Sequence, residues 1–97
     1  MAACAGEPVP VASVAPTLPP RLHNTFEGYV VVEFELSEDG QVQRPRTRLS
    51  EWTPVGSARG EPEGYEGAVL SAVSQWRYPP QEQPCRATTR VEFQFEK

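Results

Sequence analysis

Between Gly28 and Leu36 the chain reads GYVVVEFEL, and its side chains alternate with a period of two. Val30, Val32, Phe34 and Leu36 fall on one face of a strand, and Tyr29, Val31, Glu33 and Glu35 on the other. Ser37-Glu38-Asp39-Gly40 follows, and its Asp-Gly step supplies the positive-φ chemistry of a tight hairpin turn. The strand must therefore fold back on a neighbour. That restricts the domain to folds built on an antiparallel hairpin with one apolar face.

The neighbour is QVQRPRTRLS, Gln41 to Ser50. Val42 is apolar at an even position, whereas Pro45, Thr47 and Leu49 lie at odd ones, so the pattern slips by one residue. A bulge near Gln43–Arg44 reconciles the two halves. Pro45 has no N–H to give to a ladder, which confines this strand to a sheet edge. Arg44, Arg46 and Arg48 then face solvent beside Glu33 and Glu35. An anion patch and cross-strand charge pairing are the two readings of these arginines, and the alternate spacing opposite two carboxylates favours pairing.

Glu51 to Gly64 contains Pro54, Gly56, Gly60, Pro62 and Gly64 and reads as an irregular loop. Trp52 within it is expected to fold back onto the domain, where its N–H can find a partner. From Tyr65 to Trp76, residues Tyr65, Ala68, Val69, Ala72, Val73 and Trp76 recur at helical spacing and form one buried stripe. Pro62-Glu63 suits the helix start, and Pro79-Pro80 stops it. Arg77 is expected to neutralise the helix C-terminus or meet a surface carboxylate. After Cys85, Ala87, Thr89, Val91, Phe93 and Phe95 share one strand face. Arg86, Thr88, Arg90, Glu92, Gln94 and Glu96 share the other, with no proline or glycine between them.

Of the 97 residues, the first twenty hold five of the eleven prolines and show no periodicity. They read as a flexible Pro/Ala-rich tail or linker, residues 1–20, ahead of one domain, residues 21–97. A net charge of −4 argues against a nucleic-acid or anionic-membrane binder, which needs clustered cations. No stretch approaches the roughly 20 apolar residues that span a bilayer. Met-Ala-Ala-Cys-Ala-Gly is similar to the end of a bacterial lipoprotein signal, in which small residues precede a lipidated cysteine. Lipidation of Cys4, a disulfide between Cys4 and Cys85 in an oxidising compartment, and free thiols are the alternatives.

Chemistry finds little support. One histidine and two cysteines lack the ligand set of a structural zinc site, so neither metal nor cofactor is expected. His23 has no partner motif and reads as a surface or capping residue. Glu33 and Glu35 lie about 7 Å apart along an open strand without a cleft. The expectation is a protein that is not an enzyme.

Three strands with one polar face need a helix over the apolar one. The expected fold is α+β: a three-stranded antiparallel sheet of order 2-1-3 packed against one or two helices. Its core is formed by Val30, Val32, Phe34, Leu36, Val69, Val73 and Trp76. Because Pro45 bars the far side of the second strand, the last strand pairs beside the first and becomes an edge. Nothing in its sequence guards that edge. It dimerises, is covered by the chain's own tail, or accepts a partner's strand through Arg90, Val91, Glu92, Phe93, Gln94, Phe95 and Glu96.

EGYVVVEFELSEDGQV, a helix ending in WRYPP, and a closing VEFQFE, in this order, resemble the C-terminal domain of TonB over about Leu18 to Glu96. Glu27-Gly28 at the strand opening, Asp39-Gly40 at the turn and Trp76-Arg77-Tyr78 before Pro80 carry the resemblance. It implies a periplasmic domain with helices packed on a three-stranded sheet. Such a domain pairs its last strand with a short segment of a TonB-dependent outer-membrane receptor and supports energy-coupled transport. APTLPPRLHNTF departs from the family's proline-led first helix, with His23 and Asn24 where small or basic residues are usual. The loop Glu51–Gly64 is also longer than is typical. The chain is then expected to be a piece of a longer anchored protein, or a stand-alone module tethered by a lipid at Cys4. A structural envelope protein that forms a homodimer through the same edge is the competing expectation.

Overall fold

Alternating side chains and a tight turn produce the hairpin. A computed structural model describes residues 1–16, 26–55 and 64–93. Strand β1 spans Phe26–Leu36 and strand β2 spans Val42–Pro54. The turn closes through Gly40 N–H to the Ser37 carbonyl (2.9 Å) and Ser37 N–H to the Gln41 carbonyl (3.0 Å). Helix α1 covers Tyr65–Val73, and strand β3 covers Cys85–Phe93. The sheet is antiparallel with order β2-β1-β3, so the α+β class and strand order follow the expectation.

The expected bulge is present. Arg44 has φ 50° and the β1–β2 register shifts between Glu33 and Glu35. A second shift, between Val31 and Val32, leaves Arg48 without an opposite residue. It moves Leu49 to the polar face opposite Val31, where it is 49% exposed, and brings Ser50 opposite Val30. Ser50 then donates to a Glu66 carboxylate oxygen on α1 at 2.7 Å. The strand also continues through Glu51–Pro54, which the proline and glycine content had suggested as loop. Thr53 and Pro54 pair with Glu27 and Phe26 at the strand's terminus, where a proline lacking an N–H is tolerated.

Val30, Val32, Phe34 and Leu36 are fully buried beneath Val69 and Val73 of the helix, as the alternation requires. Phe26, Trp52, Tyr65 and Phe93 form an aromatic cluster, with ring centroids 4.8–6.1 Å apart. Trp52 does fold back onto the domain. Its buried Nε1, like Thr47 Oγ1, has no hydrogen-bond partner among the described residues.

Trp76 is a correction. Helix α1 ends at Val73, and Gln75 and Trp76 turn their amides back onto the Ala72 and Val73 carbonyls, each at 3.0 Å. Trp76 is only partly buried and packs against the core rather than within it, and the enclosed position belongs to Tyr78, 3% exposed and 5.4 Å from the Phe34 ring. The reason lies in the backbone of Arg77, which bridges Ala12 on one side and Gln41 on the other. Those bridges need extended chain at residues 76–78, so the helix must stop earlier. The Arg77 guanidinium donates to the Trp76 carbonyl at 2.9 Å rather than to a carboxylate.

The N-terminal segment is extended, but it is bonded to the domain at three places. Ala2 and Cys4 pair with Arg86, Val11 and Ala12 pair with Arg77, and Trp76 Nε1 donates to the Val14 carbonyl at 2.8 Å. A disulfide joins Cys4 to Cys85. Residues 1–16 thus form a strap along the domain. His23, Asn24, Pro62-Glu63, Gln94, Phe95 and Glu96 lie outside the described residues.

Candidate docking site

The strap fixes which β3 groups face outward. Arg86 N–H donates to the Ala2 carbonyl and Cys4 N–H donates to the Arg86 carbonyl, both at 2.9 Å. Arg86 therefore turns its main chain away from β1. The β1–β3 register runs without a shift from Leu36↔Cys85 to Gly28↔Phe93. Alternation then points the N–H and C=O of Thr88, Arg90 and Glu92 outward, and those of Ala87, Thr89, Val91 and Phe93 toward β1. Among the described residues none pairs with this outer row beyond Arg86. Among the described residues the edge is occupied at its start by the strap and open from Thr88 to Phe93.

The polar face beside this edge carries most of the chain's arginines. Arg46 and Arg86 approach Glu33 Oε1 at 3.0 and 3.4 Å, and Arg48 approaches Oε2 at 3.9 Å. Arg44 binds Glu35 at 2.9 Å. The cross-strand pairing expected for Arg44, Arg46 and Arg48 is therefore observed. Arg86 and Arg90 join the same face, which sequence spacing alone did not bring together. The signal was available, because strand order 2-1-3 makes the polar faces of all three strands one surface. Arg90 lies 3.9 Å above the Tyr29 ring and holds Glu92 through Nε at 2.9 Å. Desolvation, and secondly a hydrogen bond with Glu51, raise the Tyr29 phenol above its ordinary value, opposed by the Arg90 charge.

Between the strap and this edge runs a groove of about 650 Å³. Gly6, Glu7 and Pro8 of the strap line one side, Arg86 to Arg90 the other, with Val31 and Arg48 from the sheet face. The second bulge is what directs Arg48 here, since it gives that residue no cross-strand partner.

The candidate residues thus divide. Arg90, Val91, Glu92 and Phe93 lie on β3, with Arg90 and Glu92 presenting outward main chain and Val91 and Phe93 committed to β1. Cys4 and Cys85 are joined, so neither is a free thiol, and a sulfur held in this bond is not available to a lipid thioether. Among the described residues no group of three His, Cys, Asp or Glu could hold a metal ion. No helix among them is long and apolar enough to cross a membrane. In comparisons with known proteins, no family model matches the chain, and no curated protein matches its sequence.

Proposed function

We propose that this chain is a non-enzymatic periplasmic binding module that resembles the TonB C-terminal domain. In this reading it engages outer-membrane receptor segments by β-strand addition to β3, in support of energy-coupled transport. One observation carries the reading: a bulge-free edge strand with the outward main chain of Thr88, Arg90 and Glu92 unpaired among the described residues. Strand addition draws its affinity from such main-chain bonds and its selectivity from alternate side chains. The Cys4–Cys85 disulfide accords with an oxidising compartment. The Glu27-Gly28, Asp39-Gly40 and Trp76-Arg77-Tyr78 motifs each take part in the pairing that builds the sheet and its flank.

The test removes one outward donor. Glu92→Pro deletes an N–H that β1 does not use, so it should abolish binding of an extended receptor segment while amide dispersion elsewhere stays native. N-methylation of alternate residues in the segment removes the same bonds without touching the protein, and should also abolish binding. Binding that survives both changes rejects strand addition. Self-association through the same edge is the competing use, and sedimentation velocity separates the two, because it depends on protein concentration with no segment present.

A further inference from the structure

We infer that the groove between the strap and β3 selects an extended segment carrying carboxylates at alternate positions. The inference rests on strand addition as the binding mode and adds the chemistry of the partner. Arg46, Arg48 and Arg86 share the single carboxylate of Glu33, so two guanidinium charges there go uncompensated by it. The side chains of Arg48, Arg86 and Arg90 remain 65%, 49% and 56% exposed, and all three line the groove. Glu7 is the one carboxylate among the described residues that line the groove, and Glu92 at the edge is held by Arg90. A chain of net charge −4 therefore gathers guanidinium groups beside the open main chain of β3 at Thr88 and Arg90.

Geometry links the two features. A strand added to β3 points alternate side chains to the polar face of the sheet. Those side chains pass over Arg86 and Arg90 and into the groove that Arg48 lines. Carboxylates at these positions meet guanidinium groups. Lysine or arginine would meet like charge, and apolar side chains would desolvate the arginines without compensation. The strap forms the far wall, held by the disulfide and by the bonds between Arg86 and Ala2 and Cys4.

The experiment titrates the oxidised full chain with short acetylated peptides of alternating valine and glutamate, and with glutamine and lysine counterparts. Binding is read from the amide signals of Thr88, Arg90 and Glu92. The glutamate peptide should bind about tenfold more tightly than the glutamine peptide at about 0.05 M salt, and the gap should shrink to about twofold near 0.5 M. Arg48→Gln combined with Arg90→Gln should close most of that gap at low salt. Equal affinity for the two peptides, with both lost on backbone N-methylation, overturns the acidic preference and leaves strand addition standing. Binding that N-methylation does not weaken overturns strand addition and this inference with it. Preference for the lysine peptide, or no binding by any of the three, also overturns it.

Discussion

Trp76 and Tyr78 are two residues apart, and the core takes the smaller ring. Periodicity pointed to Trp76 because a helix running from Tyr65 to Trp76 would bury it. What periodicity could not register is the demand of Ala12 and Gln41 for an extended Arg77 between them. Tyr78 consequently sits against Phe34 with its N–H bonded to the Gly40 carbonyl at 2.9 Å. Gly40 is required there twice over, by φ 81° and because a Cβ would fall on the Tyr78 carbonyl oxygen. Burial raises the Tyr78 phenol above its ordinary value of 10.0, and a hydrogen bond with Thr89 offsets part of the rise. A folded-state value above the unfolded one means the fold favours the neutral phenol. Its contribution is thus fully present below about pH 10 and is lost as pH climbs through the folded value. Ultraviolet titration should show one late phenolate fewer in Tyr78→Phe, with that of Tyr29 remaining, and the denaturant midpoint of the parent should fall above about pH 10. A Tyr78→Phe variant with as many late phenolates as the parent contradicts the assignment.

The strands were the most legible elements, since each buries one face and a period of two survives in the sequence. The first bulge was legible too, because Pro45 and the slipped apolar positions mark it. The second was not, because it exchanges Leu49 for Ser50 against the polarity of both. Ser50 is stabilised inward by Glu66 of the helix, a contact between distant elements that no local pattern encodes. β2 outlasted its predicted end for a similar reason, as Gly28 permits Glu51 and Trp52 to close against β1. A Cβ on Gly28 would fall on the Glu51 carbonyl oxygen. Gly28→Ala should therefore prise apart this end of the hairpin and cost roughly 2–4 kcal/mol in chemical denaturation. A cost below about 0.5 kcal/mol would show that the two strands part there without penalty. The candidate site was legible as an edge, but its arginine groove required the sheet and the strap together.

At the scale of the whole molecule, the strap is the feature that composition hid. Prolines and alanines without periodicity describe a chain with no core of its own, yet it is bonded to β3, Arg77 and Trp76. The disulfide spans a sequence separation of 81 residues, and closing so long a loop restricts the unfolded ensemble strongly. Reduction, or Cys4→Ser with Cys85→Ser, should lower stability by about 2–4 kcal/mol. It should also speed hydrogen exchange at the Cys4 and Arg86 amides, while β1 keeps its protection. Unchanged exchange at those two amides would mean that the strap holds without its bond. The same bond has a mechanical meaning. Tension applied between the first residues and β3 passes from Cys4 through sulfur to Cys85, so the covalent path skips the chain between them. The hairpin and helix are thereby bypassed by the load.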